Sequence, residues 1–264
     1  MKIYKALTIA GSDNSGGAGI QADIKTFSAF SVYGMSVITA VTSQNTTGVK
    51  DFYKLPTEHI KKQFETICED IKIDALKTGM LVDEEVVETV AEFIKRYHLK
   101  NLVIDPVIKA SKGKDLFNKK AIESYITRLI PYSKIITPNK IEAEMLTGEK
   151  INSVDDIKKC ARTLKSYGAE IVIIKGGHID FEDSVVIDTV YINDKFIYLK
   201  YPKVQIKDTH GTGCTFSAAI TANLAKGIEP LKSIRIARAY LQGSLENALD
   251  VGKGSVCLNH SWTK

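Results

Sequence analysis

The sequence is poor in cysteine and contains no long hydrophobic run. Its four cysteines are isolated and never form a Cys-x-x-Cys pair: Cys68, Cys160, Cys214 and Cys257. Four widely separated cysteines resemble neither a zinc site nor a disulfide framework, and they suit a reducing compartment. The apolar run ALTIA at 6–10 is too short for a signal-peptide core, and no later run is long enough to span a membrane. We therefore expect a cytoplasmic protein without a membrane partner.

An excess of either charge is also missing. The 36 basic and 31 acidic residues give a net charge of +5, and the basic residues are scattered along the chain. This charge is too small to indicate a nucleic-acid surface, so no nucleic-acid partner is expected. The sequence shows no linker, repeat or low-complexity tract, and 44% of its 264 residues are hydrophobic. One domain over residues 1–264, with a large core, is the simplest interpretation.

The sequence does contain a regular alternation of short apolar runs and longer helical segments. Six runs predict buried strands, at 6–10, 36–43, 74–80, 101–107, 134–139 and 170–177. Helical spacing of apolar residues predicts helices at 83–98 and 153–168. This alternation indicates an α/β fold with a mostly parallel sheet covered by helices on both faces. Residues 184–201 break the rhythm and predict an antiparallel hairpin that turns at Asn193-Asp194.

Polar and glycine-rich stretches follow the six predicted strands. In chain order they read GSDNSGGAGIQAD, QNTTG, KTGM, DPV, TPNKIEAE and KGGH. The carboxyl ends of parallel strands share one edge of a sheet, where open α/β folds bind their ligands. A purely structural sheet has little need of such loops. We therefore expect a ligand site at this edge.

A further glycine-rich stretch, HGTGC, precedes a predicted helix at 215–226. Gly211 and Gly213 leave backbone N–H groups uncovered at the positive end of the helix dipole, an arrangement that binds phosphate. A tight strand-to-helix turn that needs glycine for its dihedral angles would produce the same pattern. Gly227 marks the expected end of the helix.

Two nucleotide-binding patterns are disfavoured. GGAGIQA at 16–22 has the glycine spacing of a dinucleotide-binding turn, but the second predicted strand ends in Ser43-Gln44-Asn45, without the acid that holds a ribose. The P-loop pattern is absent. Phosphoryl transfer by another route needs a phosphate cradle, an acceptor pocket and carboxylates that place Mg²⁺.

The candidates for the metal side of such a site are Asp105, Asn139 and Glu142. Each has a structural alternative. Asp105 ends a predicted strand, Asn139 stands where an N-cap is expected, and Glu142 is a first-turn carboxylate of the next helix.

Taken together, TIAGSDNSGGAGIQAD, KTGM, VIDPVI, TPNKIEAE, KGGH and DTHGTGCTFSAAI resemble the hydroxymethylpyrimidine/phosphomethylpyrimidine kinases of thiamine biosynthesis. The match is colinear from residue 5 to about 226. The resemblance implies a ribokinase-like three-layer α/β/α sandwich. It also implies a homodimer that uses ATP and Mg²⁺ to phosphorylate 4-amino-5-hydroxymethyl-2-methylpyrimidine and then its monophosphate.

The resemblance assigns roles by position. It implies a substrate pocket formed by Gln44, Asp23, Gly11, Met80 and Val107. The amide of Gln44 offers a donor and an acceptor together, which suits an aminopyrimidine edge. The implied nucleotide-binding residues are Lys175, Thr209, Asp105 and Asn139. Glu142 is implied to act through Mg²⁺ or its waters, and residues 109–118 are a candidate lid.

The implied catalytic group is the anion hole of Gly211, Thr212, Gly213 and Cys214. Most of the superfamily carries an aspartate base where Cys214 stands, and a thiol at a helix N-terminus is expected to have a lowered pKa. The alternative for Cys214 is a small residue packed beneath the phosphate.

Two other functions stay open. Pyridoxine and pyridoxal kinases share the HGxGCTFSAA pattern, although SQN at 43–45 favours the pyrimidine branch. A non-catalytic pyrimidine-phosphate sensor would be favoured by an added DNA-binding or partner segment, and the sequence shows none.

Overall fold

The computed structural model describes residues 2–108, 119–178, 184–206 and 208–263, so the candidate lid at 109–118 lies outside the described residues. Nine strands form the central sheet: β1 (Lys5–Asp13), β2 (Tyr33–Asn45), β3 (Gly48–Lys54), β4 (Ala75–Thr78), β5 (Leu102–Ile104), β6 (Ser133–Ile136), β7 (Ile171–Ile174), β8 (Val185–Ile192) and β9 (Lys195–Pro202). Their spatial order is β3-β2-β1-β4-β5-β6-β7-β8-β9. The six strands from β2 to β7 in this order run parallel, which confirms the predicted sheet.

Helices cover both faces of the sheet: α1 (Gly19–Ala29), α2 (Thr57–Asp70), α3 (Glu84–Arg96), α4 (Lys119–Ser124), α5 (Lys140–Thr147), α6 (Val154–Ser166), α7 (Thr212–Ala225) and α8 (Pro230–Glu246). Neighbouring strand residues point to opposite faces. Leu7 therefore packs with apolar residues of α2 to α6, whereas Ala6 packs with those of α1, α7 and α8. The result is the expected three-layer sandwich. Within the described ranges, no helix is long and apolar enough to cross a membrane.

Local sequence signals explain several of these elements. The Asp83 side chain caps α3 by accepting a hydrogen bond from the Val86 N–H group, and the Ser153 side chain caps α6 in the same way. Asn193 and Asp194 have φ values of 49° and 58°, the left-handed conformation that a two-residue hairpin turn requires. The two predicted helices and the hairpin of β8 and β9 are therefore confirmed.

The second strand differs from the prediction. It runs on to Asn45 and turns back as β3, which pairs antiparallel with β2 at the edge of the sheet. QNTTG consequently belongs to a hairpin and not to a crossover loop. The sequence of β3, GVKDFYK, has no buried residue, which is why its apolar pattern gave no strand signal.

Helix α7 begins at Thr212, three residues earlier than expected, so Gly213 and Cys214 belong to its first turn. From Thr215 onward it is buried on all sides, because it lies against α1, α8 and the sheet. Gly227, with a φ of +75°, follows the helix as predicted.

A second, two-stranded sheet lies beside the start of α7. It pairs β10 (Thr209–His210) in parallel with β11 (Val256–Cys257). The residues before β11 also contact the turn between β2 and β3, since the Ser255 N–H group donates to the Thr46 carbonyl at 2.8 Å. Residues 254–257 therefore link the β2–β3 hairpin to the strand that leads into α7.

Candidate active site

The carboxyl edge of the parallel strands brings the predicted site residues together. Gly11, Asp105, Asn139 and Lys175 each lie at or just after the end of a different strand. A surface cavity of about 410 Å³ is found at the opposite edge, and none of the predicted site residues lines it. The shared edge, and not that cavity, is the candidate active site.

Gly211 joins this edge to the start of α7. Its φ is +85°, and a Cβ atom at this position would lie 1.9 Å from the Gly17 carbonyl oxygen. Both observations require glycine. The first hydrogen bond of the helix runs from the Thr215 N–H group to the Gly211 carbonyl, at 2.9 Å. The N–H groups of residues 212–214 come before it, so they have no helix carbonyl as a partner. Such a helix start is a place where an anion can bind.

Lys175 bridges two carboxylates beside this helix end. Its Nζ donates to Asp105 Oδ1 at 2.8 Å and lies 3.8 Å from Glu142 Oε2. The Asp105 side chain is 2% exposed and the Glu142 side chain 8% exposed. A Cβ atom on Gly213 would approach both Asp105 Oδ2 and Lys175 Nζ to 3.2 Å. The second glycine of the HGTGC stretch therefore leaves room for the ion pair.

Asn139 and Glu142 also have the structural roles given above as alternatives, those of an N-cap and a first-turn carboxylate. The Asn139 N–H group donates to Glu142 Oε2 at 2.8 Å, and the Glu142 N–H group donates to Asn139 Oδ1 at 2.9 Å. This reciprocal capping box begins α5. It fixes the Glu142 carboxylate beside Lys175, so capping and a place in the charged cluster are compatible.

The charges of the cluster depend on one another. Burial raises the pKa of Glu142 to about 7; Lys175 opposes this effect and Asp105 adds to it. Burial also opposes the charge of Asp105, but Lys175 and Lys77 together lower its pKa. Burial likewise opposes the charge of Lys175, yet Asp105 and Glu142 raise its pKa. Asp105 and Lys175 are therefore charged, while Glu142 titrates near neutral pH.

Asp23 is fully buried beneath the site and forms an ion pair with Lys77. Lys77 Nζ donates to Asp23 Oδ1 at 2.7 Å, and Thr8 Oγ1 donates to Asp23 Oδ2 at 2.6 Å. Both charged side chains are 0% exposed. Sequence reasoning missed Lys77, although a lysine inside the apolar run DALKTGM is itself a signal, because an unpaired charge is rarely buried.

Cys214 lies in the first turn of α7, near the Asp23–Lys77 pair, and the Gly19 N–H group faces its sulfur. Burial raises the pKa of this thiol to about 12, and the Asp23 and Asp105 carboxylates act in the same direction. Lys77 and the Gly19 amide oppose the increase without cancelling it. The expected lowering of the Cys214 pKa is therefore wrong, because desolvation and the two carboxylates outweigh Lys77 and the Gly19 amide.

The predicted substrate residues lie at the same edge. A Cβ atom on Gly11 would be 2.4 Å from Met80 Cε, so Gly11 allows this methionine to lie against β1. The Gln44 N–H group donates to Asn14 Oδ1 at 2.8 Å. Its side-chain amide is half-buried and makes no hydrogen bond to another residue of the described ranges. Val107, also half-buried, follows the strand that ends before Asp105.

Asp13, to which the sequence reasoning gave no role, organises the first glycine loop. Its Oδ2 accepts hydrogen bonds from the Gly17 and Ala18 amides and from His210 Nε2, at 3.0, 2.8 and 3.1 Å. Burial opposes its charge, but the hydrogen bonds from His210 and Ser15 hold the pKa of Asp13 well below its usual range. His210 belongs to β10 with the predicted residue Thr209, so Asp13 ties this strand to the loop.

The donor set fits a magnesium ion that arrives with a nucleotide. Among the described residues, no group of three His, Cys, Asp or Glu side chains is placed to hold a metal. Mg²⁺ typically keeps several waters and binds one or two carboxylates together with substrate phosphates. Glu142 Oε1 accepts no hydrogen bond from the part of the chain that the structure describes. This oxygen, with Asp105 nearby, can provide the protein share of such a site.

The chain is similar to known kinases. A family model described as phosphomethylpyrimidine kinase matches residues 13–259. The chain is 46% identical to the hydroxymethylpyrimidine/phosphomethylpyrimidine kinase of Bacillus subtilis, over 98% of this chain and 96% of that protein.

Two solved structures share the fold. The pyridoxal kinase from Staphylococcus aureus, in complex with AMP-PCP and pyridoxal, is 35% identical with a TM-score of 0.91, covering 100% of this chain and 96% of that one. A phosphomethylpyrimidine kinase from Clostridium difficile is 44% identical with a TM-score of 0.79, covering 91% of this chain and 98% of that one. These similarities confirm the ribokinase-like sandwich. With a family model matched over most of its length, the chain belongs to the phosphomethylpyrimidine kinase family.

Proposed function

We propose that residues 1–264 act as one cytoplasmic kinase domain in thiamine biosynthesis. It uses ATP to phosphorylate 4-amino-5-hydroxymethyl-2-methylpyrimidine and then phosphorylates the monophosphate to the diphosphate. The observation that carries this proposal is the anion-binding start of α7 beside the Asp105–Lys175–Glu142 cluster. Four free cysteines support a location in a reducing compartment.

In the first reaction, the hydroxymethyl oxygen of the pyrimidine bonds to the γ-phosphorus of ATP. The bond from this phosphorus to the bridging oxygen breaks, ADP leaves, and the hydroxyl proton is released. The amides of residues 212–214 hold the transferring phosphoryl group as charge accumulates on its oxygens. Lys175, Thr209 and Asn139 line the nucleotide side. Glu142 and Asp105 would hold Mg²⁺, which neutralises phosphate charge when bound.

Cys214 takes the position of a general base, but its thiol is neutral near pH 7. A pKa of about 12 leaves almost no thiolate at that pH. Phosphoryl transfer through a loose transition state depends mainly on positioning, so a strong base is not required. Cys214 therefore orients the substrate hydroxyl as a neutral thiol, and the hydroxyl proton passes late in the transfer to an oxygen of the phosphoryl group.

The acceptor side is formed by the predicted substrate residues. The side-chain amide of Gln44 is available to the aminopyrimidine edge, since no described residue satisfies it. Met80 and Val107 provide apolar contacts, and Gly11 leaves space beside Met80. Asp23 acts indirectly, because its buried ion pair with Lys77 supports the part of the site around Cys214.

A pyridoxal kinase is the second candidate. The higher TM-score belongs to a pyridoxal kinase, whereas the higher sequence identity belongs to a phosphomethylpyrimidine kinase. We give more weight to identity, because substrate choice depends on individual side chains and not on the backbone.

A coupled ADP-release assay tests the choice, with Mg·ATP and the pyrimidine, its monophosphate or pyridoxal as acceptor. We expect turnover of both pyrimidines and much weaker use of pyridoxal. Preference for pyridoxal would contradict the pyrimidine assignment, and the absence of any turnover would favour the sensor.

We also propose a homodimer formed through the β2–β3 hairpin. Val41 and Tyr53 are cross-strand partners and are 44% and 64% exposed. Adjacent exposed apolar side chains on a sheet suit a self-complementary contact. Light scattering should give twice the chain mass, and Tyr53→Glu should yield a monomer. A monomeric native protein would contradict this proposal.

A further inference from the structure

The ammonium group of Lys175 lies between the two carboxylates that are available to a metal ion. Its Nζ is 2.8 Å from Asp105 Oδ1 and 3.8 Å from Glu142 Oε2. Both carboxylates are buried, so water screens this ion pair only weakly. A divalent cation that approaches the same oxygens meets a positive charge already in place.

We propose that Lys175 is an internal counter-ion that partly neutralises the metal position until a nucleotide binds. Mg²⁺ alone then binds the protein weakly, and it binds well only with a nucleotide whose phosphates draw the ammonium group away from the carboxylates. This inference rests on the proposed use of Mg·ATP. It adds the order in which the nucleotide, Lys175 and Mg²⁺ act at the same site.

The backbone around Lys175 is fixed while the end of its side chain can move. The Lys175 N–H group donates to the Pro138 carbonyl at 2.9 Å, and the next amide, of Gly176, donates to Asp188 Oδ1 at 2.8 Å. A lysine has a flexible four-carbon stem. Gly213, at the phosphate-binding helix end, is close enough that a Cβ there would lie 3.2 Å from Lys175 Nζ. A small side-chain movement therefore takes the charge from the carboxylates to bound phosphate.

The charge balance supports the same order. The buried cluster holds three carboxylates, from Asp23, Asp105 and Glu142, and two ammonium groups, from Lys77 and Lys175. With every group charged, three negative and two positive charges leave −1. Without the Lys175 charge, the cluster holds −2, so its attraction for a divalent cation increases.

The direct test measures Mn²⁺ binding to the full chain without nucleotide, by electron paramagnetic resonance of the free ion or by calorimetry. Lys175→Met should bind Mn²⁺ tighter than the native protein by about tenfold or more. The matched control is Lys195→Met at the exposed β8–β9 turn, which should leave Mn²⁺ affinity unchanged. Equal or weaker binding by Lys175→Met would overturn the proposal.

A second variant locates the gained ion. Adding Glu142→Gln to Lys175→Met should abolish the increase in Mn²⁺ affinity, because the carboxylate released by the first change is then lost. If the increase survives, the ion binds elsewhere and the proposal fails. The binding measurement involves no acceptor and no turnover, so a wrong substrate assignment would not affect it.

A measurement on the native sequence covers the case in which Lys175→Met does not fold. The Nζ resonance of Lys175 is followed in protein labelled with ¹⁵N-lysine and assigned with Lys175→Arg. It should shift when AMP-PCP is added with Mg²⁺ and stay unchanged with Mg²⁺ alone. An equal shift with Mg²⁺ alone would show that the metal displaces Lys175 by itself, and this would contradict the proposed order.

Discussion

The carbonyl oxygen of Gly17 occupies the space that a side chain on Gly211 would need, with a calculated Cβ contact of 1.9 Å. The backbone of the first glycine loop therefore lies directly against the start of α7, although the two are nearly 200 residues apart in the chain. His210 and Asp13 reinforce this junction with a 3.1 Å hydrogen bond. The geometry of the start of α7 thus depends on a loop that lies far away in the chain.

Gly211→Ala should disrupt this junction. The new Cβ would collide with a backbone atom at a positive φ, so we expect the free energy of unfolding to fall by roughly 2–4 kcal/mol. We expect kcat/KM to fall more than about 100-fold, because the amides of residues 212–214 move with the loop. Urea denaturation and the ADP-release assay measure the two effects.

Gly227→Ala is the matched control for the backbone contribution. Gly227 also has a positive φ, +75°, but a Cβ there would meet no atom within 4 Å. We expect the free energy of unfolding to fall by about 1 kcal/mol and kcat to stay normal. If the two variants lose the same stability and activity, the contact with Gly17 is unimportant.

Glu142→Gln should change how stability depends on pH. The native pKa of about 7 lies above the ordinary 4.5, so the folded state binds this proton more tightly than the unfolded state. The resulting stabilisation is complete below pH 4.5, decreases by about 1.4 kcal/mol per unit up to pH 7, and is absent above it. Glutamine keeps the capping box. Unfolding is measured without metal at pH 5, 6 and 7. The free energy of unfolding of the variant should rise relative to that of the native protein as pH rises. If the two proteins show the same pH dependence of stability, this titration is excluded.

Cys214→Ala should lower kcat by roughly 10- to 100-fold and leave the fold stable, and Cys214→Ser should recover most of the activity. Because burial raises the pKa of the thiol to about 12, the kcat profile between pH 6 and 9 should contain no inflection from it. Cys68→Ala, at the opposite edge of the sheet, is the control and should keep full kcat. An inflection that disappears with the Cys214 thiol would show that the thiolate is the working base.

Gln44→Ala should raise KM for the pyrimidine at least about tenfold and leave KM for ATP nearly unchanged, since in the proposed site the amide contacts only the acceptor. Lys50→Ala, an exposed change on the same hairpin, is the control for a general disturbance of β2 and β3. An unchanged pyrimidine KM would remove Gln44 from the site.

The periodicity of apolar residues and the helix-capping residues were sufficient to predict much of the fold. The six parallel strands follow from apolar runs, and the turn at Asn193 and Asp194 follows from turn chemistry, because both signals are local. Strand β3 was missed since an exposed edge strand carries no apolar pattern. Its position depends on pairing with β2, which sequence alone does not display.

The residues of the candidate site could be predicted from the sequence, but their ion pairs and charge states could not. Glycine and acidic residues at strand ends indicated Gly211 and Glu142. The pairing of Lys77 with Asp23, 54 residues away, and of His210 with Asp13, 197 residues away, depends on tertiary packing. The same packing leaves Cys214 only partly exposed and near two carboxylates, and this is why its expected acidity was wrong.

The contact between residue 254 and Thr46 has a consequence for biosynthesis. The two residues are 208 positions apart, and Cys257 pairs with His210 beside the phosphate-binding helix. Translation proceeds from the amino end, so all nine strands of the central sheet are synthesised before residues 254–257, which complete this junction. The candidate active site therefore stays unfinished until residues 254–257 have been synthesised and have left the ribosome.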